Sequence, residues 1–350
     1  MERVSFIKEG LNGFGTREGV YYTNQEIIDR LKDLQSALAQ GVFEKTHAEN
    51  FTEREVIRHF EMLACEYGIE NSERFLRLKA NMNKLGYTIA TYIKGMAGER
   101  NARKALKLIS MDKGVKVLYN ICIEDEDCKA EYDALVITPY GLFLIEVKNW
   151  FGSAKITANG LLERGEEDKV VYDLAGRMGV KEALLRECLG DLFPKQYVNM
   201  LLFTNEKTEV VDEYHRLPYF VGGGISSDIR LYAKGGNILT DKQINKMVER
   251  LMSSHKEQKT LCDVNCEEII EDYANLMAEI EEKAKQTDLI GESSDKNPET
   301  TVTTEKVKPK TFWSNLNWGS VVKVGASVLI GIPAAYFGAK GIKQILKGVV

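Results

Sequence analysis

Through the first hundred residues apolar positions recur every three or four places. Ile27, Leu31, Leu34 and Leu38 share one helical face, and Gly41 stands where such a helix would stop. Val56, Phe60, Leu63 and Tyr67 repeat the pattern after a Thr52 to Glu55 capping box and before Gly68. A third helix is expected over residues 72–85, ending at Gly86. Residues 1–22 carry no readable pattern. Residues 1–95 therefore read as a helical N-terminal region, whose first role is packing and support. A fresh helix then opens at Gly98-Glu99-Arg100, with Ala102, Ala105, Leu106 and Ile109 apolar.

From Lys116 the period shortens to that of strands. Residues 116–123 read as a strand and 124–129 as an acidic loop. Residues 130–150, AEYDALVITPYGLFLIEVKNW, form two apolar runs around Thr138-Pro139-Tyr140-Gly141, a β-hairpin pattern. A short strand follows near 154–158 and a helix over 173–189, with Met178, Ala183, Leu184, Leu185 and Leu189 apolar. Residues 198–204 are continuously apolar, as in a strand buried on both faces. Residues 216–239 look loop-rich, and Gly222-Gly223-Gly224 lacks the Lys-Ser/Thr ending of a phosphate loop. Helices are expected over 240–253 and 267–285, the acids of the second forming a solvated face. This order predicts an α/β fold with a mixed central sheet, preceded by a helical region and followed by helices and an apolar segment.

Three charges interrupt the hairpin: Asp133, Glu146 and Lys148. A buried charge is costly unless it is paired or holds a metal. Pro and Gly at their places in the turn suit a type I turn that pairs Thr138 with Gly141. Asp133 then falls opposite Glu146. Glu146 and Lys148 are two apart and share its face. A register change of one residue would turn Asp133 to the other face. Two converging carboxylates are oxygen ligands suited to Mg²⁺ or Mn²⁺. A lysine beside them can contact a phosphate and offset negative charge developing there. Glu99 could add a further acid. The plainer reading is a structural pair of Lys148 with Glu146 and a solvated Asp133.

Composition narrows the classes. The 350 residues carry 44% hydrophobic side chains and a net charge of −5, which excludes a generally basic coat but not a local basic cleft. Such a local excess exists: from Arg74 to Lys107 the only acid is Glu99, so the span could track phosphates or be a solvated helix face. The six cysteines are scattered, as in a cytoplasmic protein with reduced thiols. Cys262, Cys266 and His255 lack the second ligand pair of a zinc site. The first residues lack the long apolar core of a secretory signal.

The C-terminal part differs. Residues 286–310 have the composition of a disordered linker. Residues 324–339 carry no charge, with Trp313 and Trp318 before them and Lys340, Lys343 and Lys347 after. Residues 311–350 thus form a candidate membrane anchor, associating through 319–347; the alternative is a helix that docks on protein. A further alternative makes the acidic helix near 265–285 an oligomerisation element.

Gly98-Glu99, Glu131-Tyr132-Asp133, Pro139-Tyr140-Gly141 and Ile145-Glu146-Val147-Lys148-Asn149-Trp150 with Gly152 are together similar to the nuclease-related domain (NERD) family, a branch of the PD-(D/E)xK nuclease-like proteins. The resemblance covers residues 95–210 approximately. It implies a restriction-endonuclease-like core within residues 96–240, with the helices of 241–285 after it. It implies Asp133, Glu146 and the Val147 carbonyl as metal ligands, Lys148 as the catalytic lysine and Glu99 as a helix acid. The chain departs from the family pattern at Tyr132, where an Ile is usual. It departs again at Asp173-Leu174-Ala175-Gly176-Arg177, where the family carries Asn-Pro and then Gln. The expected function is a Mg²⁺-dependent nuclease hydrolysing phosphodiester bonds of DNA or RNA. The alternative is a non-catalytic nucleic-acid-binding or scaffold module that keeps the fold.

Overall fold

A computed structural model describes residues 2–46, 55–126, 128–165 and 170–293. The Thr52 capping box and residues 294–350, with most of the expected linker and the whole apolar tail, lie outside the described residues. No described helix is long and apolar enough to cross a membrane.

The N-terminal part contains α1 (Glu2–Leu11), a short β1 (Tyr21–Tyr22), α2 (Asn24–Thr46), α3 (Val56–Glu66) and α4 (Glu73–Ala105). Ile27, Leu31, Leu34 and Leu38 of α2 are buried against Val56, Phe60 and Leu63 of α3 and Phe75, Leu78, Met82 and Leu85 of α4. Each such side chain contributes about 1.5–3 kcal/mol by leaving water.

Two expected helix stops are corrected. Helix α2 runs through Gly41, because Val42 is buried and continues the apolar face. A Cβ at Gly41 would lie only 2.0 Å from the Tyr273 hydroxyl, so this glycine marks a close approach rather than an end. Helix α4 likewise passes Gly86 without a break and does not restart at Gly98. Thr88, Ile89, Gly98 and Ala102 are all buried along its 33 residues. At 1.5 Å per residue it spans about 50 Å and carries the chain from the bundle to the sheet.

After a single turn α5 (Lys107–Ser110) come β2 (Lys116–Glu124), β3 (Lys129–Thr138) and β4 (Gly141–Lys148). Then follow β5 (Gly152–Ile156), β6 (Leu161–Arg164), β7 (Val170–Asp173), α6 (Leu174–Leu189), β8 (Tyr197–Phe203) and β9 (Thr208–Asp212). The chain continues with β10 (Tyr219–Val221), α7 (Ile225–Leu231), α8 (Asp241–Ser254), β11 (Thr260–Leu261) and α9 (Cys266–Ser293). The central sheet is five-stranded, ordered β10-β8-β4-β3-β2. β2, β3 and β4 are antiparallel, and β4, β8 and β10 are parallel, so the sheet is mixed. One face is covered by α6 and α8, the other by the end of α4 with α5 and α7. Leu201 and Phe203 of β8 pack on the first face and Met200 and Leu202 on the second, as its continuous apolar run requires.

The hairpin register is the expected one, with Thr138 opposite Gly141 and Ala134 opposite Ile145. One feature was not foreseen. Val117, Tyr119, Ala134 and Val136 pack on the α7 side, but Ile121, Ile123, Ala130 and Tyr132 pack on the α6 side. Strict alternation would keep each odd or even set on one face. The phase changes where Asn120, at φ 53°, faces Asp133 and the ladder skips one pairing. Asp133 is thereby freed from regular pairing at the edge of the site.

A second sheet, β7-β6-β5-β9, packs Ala154, Ile156 and Leu162 under the α6 face. The stretch read as loop-rich instead holds β10 and α7, joined by the Gly222-Gly223-Gly224 turn. Ile225 and Ile229 are fully buried, which fixes α7 to the sheet. Helix α9 continues past residue 285, and its apolar face, including Ile269, Tyr273, Leu276 and Ile280, is buried inside the N-terminal bundle. Its acids are not all solvated. Asp272 is only 2% exposed and accepts hydrogen bonds from Arg77 Nε at 2.7 Å and Nη2 at 2.6 Å. Residues 2–290 fall within one compact unit.

Candidate nuclease site

Strand β4 carries Leu142 and Leu144 into the core on the α6 face. Glu146 is next on that face and is only 3% exposed. Its charge is met from three elements. Oε1 accepts from Lys148 Nζ at 2.7 Å and from the Tyr172 hydroxyl of β7 at 2.7 Å. Oε2 accepts from Lys181 Nζ of α6 at 2.5 Å. Asp133 sits beside it, its Oδ2 accepting the Val147 N–H at 2.6 Å. The Lys148 carbonyl accepts the Thr204 N–H at 2.9 Å on the β8 side. Neighbouring residues of a strand point their backbone groups to opposite sides, so the Val147 carbonyl faces the β3 side, beside Asp133.

These residues line a cavity of about 580 Å³ together with Glu131, Asp173, Gly176 and Arg177. Asp173 caps α6 by accepting the Gly176 N–H at 2.9 Å, which sets the helix so that Arg177 and Lys181, one turn apart, both enter the cavity. Two cations approach the Tyr172 ring, Lys148 Nζ at 3.9 Å and the Arg177 guanidinium at 4.5 Å from its centroid.

The two acids are driven apart. Burial, and then the Glu146 charge, push Asp133 up to about 7. Burial would raise Glu146 too, but Lys148 and Lys181 outweigh it and bring it down to about 2. Burial opposes the charge on Lys181, yet Glu146 and Asp133 prevail and its pKa is raised. Burial and the Glu146 charge raise the Tyr172 hydroxyl, so it stays protonated and can donate. Burial, then Glu99, raises Glu131.

Of the residues expected from sequence, Asp133, Glu146, Val147 and Lys148 are brought together. Glu99 is not at the start of a helix but near the end of α4, where Asn120 Nδ2 donates to its Oε2 at 2.7 Å. It borders the site through Glu131 rather than lining the cavity. Asp133 is not a solvated edge residue. Lys181 and Tyr172 were missed; Arg177, at the place of the family Gln, and Glu131, beside Asp133 in its motif, also line the cavity. The signal available for Lys181 was its place one helical turn after Arg177. The zinc-like trio does not assemble: His255 Nδ1 accepts the Cys122 N–H at 3.1 Å and Cys266 packs on Thr16. No cluster of three or more His, Cys, Asp or Glu suited to a metal occurs among the described residues.

A divalent ion must therefore rely on mixed donors. Two carboxylates and a backbone carbonyl on one side of the hairpin are hard oxygen donors of the kind Mg²⁺ and Mn²⁺ take. The donor set fits such an ion in type, although both Glu146 oxygens already accept hydrogen bonds.

The approach of α4 fixes the end of β4. Asn149 Nδ2 donates to the Lys94 carbonyl at 2.8 Å, and a Cβ at Gly98 would come within 2.8 Å of Asn149 Cβ. Gly98→Ala is expected to lower stability by about 1–3 kcal/mol, read by chemical denaturation, because two backbones and not a flexible side-chain end must give way.

A mixed sheet with helices before and after it, and an Asp on β3 beside a Glu and a Lys at the end of β4, is consistent with a nuclease-like fold. Residues 94–204 match the family model described as the nuclease-related domain. The match begins within α4, includes Glu99 and ends just past β8. No curated protein and no solved structure matches the chain.

Proposed function

We propose that the site hydrolyses phosphodiester bonds of nucleic acid, DNA before RNA, with a bound Mg²⁺ or Mn²⁺. The observation that carries this is Asp133 and Glu146 side by side on the hairpin, with Lys148 Nζ 2.7 Å from Glu146 Oε1. Asp133, Glu146 and the Val147 carbonyl would hold the ion. When bound, it would supply charge for the phosphate oxygens and acidify a water. Lys148 is placed to donate to the phosphate and to offset its developing negative charge. Tyr172 holds Glu146 in position, and Arg177 offers a second cation in place of the family Gln.

The basic span from Arg74 to Lys107 divides into two groups. Arg74 and Arg77 pair with Asp272, Lys79 with Glu61 and Lys84 with Asp263. Arg103 stacks over the Tyr119 ring at 4.2 Å. Lys94, Arg100, Lys104 and Lys107 are exposed and form no ion pair among the described residues. The phosphate track is thus assigned to the C-terminal turns of α4 and to α5, next to the nuclease-like core, and its binding should weaken steeply with salt.

The test is cleavage of single- and double-stranded DNA and RNA with and without Mg²⁺ or Mn²⁺, with Lys148→Ala and Asp133→Ala as controls. Metal-dependent cleavage lost in both variants is expected. Equal cleavage by Lys148→Ala and wild type would sink the assignment. The second reading, a binding or scaffold module without turnover, is favoured by the occupation of both Glu146 oxygens; salt-sensitive DNA binding with no metal uptake would select it.

Residues 319–347 add a proposal of membrane association. The full chain is expected to sediment with membranes, and a chain ended at Lys310 to remain in the supernatant.

A further inference from the structure

Glu146 is answered by two ammonium groups where one would balance its charge. They differ in kind. Lys148 sits two residues along the same strand and shares Oε1 with the Tyr172 hydroxyl. Lys181 comes from α6 and is the one hydrogen-bond partner of Oε2 among the described residues. Its side chain is 11% exposed and borders the cavity, where Arg177 enters from the same helix face.

With Asp133 ionised, the two carboxylates and two lysines sum to zero charge. A divalent cation entering beside Asp133 needs an oxygen of Glu146, and Oε2 is the one not shared by strand and tyrosine. Its present occupant is Lys181, on a flexible four-carbon stem that can turn into the cavity without moving α6. We propose that Lys181 is a resident counter-ion of the metal-free site, that it competes with the divalent cation for Glu146 Oε2, and that the cation releases it into the cavity as a phosphate contact. Lys181 is in this account a positioning residue that sets how readily the site loads. The proposal rests on the metal-dependent reading above.

Calorimetric titration with MnCl₂ tests it on the full chain, using wild type, Lys181→Met, Lys148→Met and Glu146→Gln. Glu146→Gln should lose the site's Mn²⁺ binding. Lys181→Met should bind Mn²⁺ about tenfold more tightly than wild type, and gain more than Lys148→Met does, because it removes a direct competitor as well as a like charge. Lys181→Gln, which keeps a hydrogen-bond donor but no charge, should bind more tightly than wild type if the Met variant folds poorly. Unchanged or weaker binding by both Lys181 variants, with wild-type binding abolished in Glu146→Gln, overturns the competition and leaves the metal reading standing. No Mn²⁺ uptake by wild type or by either Lys181 variant overturns both.

Discussion

Glu146→Ala is expected to lower folding stability by about 3–5 kcal/mol, measured by chemical denaturation at neutral pH. The loss does not come from packing, since a carboxylate-sized gap is small. It comes from what stays behind: Lys148 and Lys181, with side chains only 15% and 11% exposed, keep their charge but lose its partner. The Tyr172 hydroxyl also loses its acceptor. Glu146→Gln keeps one acceptor oxygen, enough for Lys148 and the Tyr172 hydroxyl, and should cost less. The pH dependence has a definite sign. The folded pKa of Glu146 is depressed to about 2 from an ordinary 4.5. Its contribution is therefore complete above about 4.5 and is lost as pH falls toward 2. Between pH 6 and 8 Asp133 also titrates, near 7 and under the Glu146 charge, so the difference between wild type and Glu146→Ala is read below about pH 4.5, where it should shrink as pH falls toward 2. A difference that instead grew in acid would contradict the assignment of an ionised, doubly paired Glu146.

The second large effect is on turnover. Lys148→Ala is expected to lower metal-dependent cleavage by about 10²–10³, as removal of one fixed donor at a developing anion does. Its effect on folding should be smaller than that of Glu146→Ala, because Lys181 still balances Glu146. The two variants thus differ in folding: loss of Glu146 removes stability as well as the proposed metal ligand, whereas loss of Lys148 acts chiefly on turnover. Single-turnover cleavage with saturating Mn²⁺ reads the chemical step. A Lys148→Ala rate within twofold of wild type under those conditions, on the order of assay error for a catalytic donor, would remove the lysine from the mechanism.

Both effects concern residues that could be found in the one-dimensional pattern, and the reason is local. A type I turn with Pro and Gly in place fixes the pairing of Thr138 with Gly141, and period-two alternation does the rest. Asp133, Glu146 and Lys148 were therefore legible as one face. The helical faces of α2 and α3 were legible for the same reason, since spacings of three and four need no distant partner. Glycines were less informative. Gly41 and Gly98 look like helix ends, but each is a point where another element comes too close for a Cβ, and nothing nearby in sequence announces that contact.

The chain's own order of residues determined the hairpin, its register and the convergence of two acids and a lysine, because neighbours within a few positions decide those features. Tertiary structure decided what surrounds them. Lys181 reaches Glu146 across 35 positions, and Arg77 meets Asp272 across 195. The first contact gives the site its second cation and holds Glu146 ionised. The second withdraws part of the basic span from any phosphate. The phase change at Asn120 and Asp133 also belongs here, since on either side of it the same two strands pack in opposite phase between α6 and α7. Charge and spacing are written locally, but whether a charge is spent inside the fold or left for a ligand is settled only when distant elements pack.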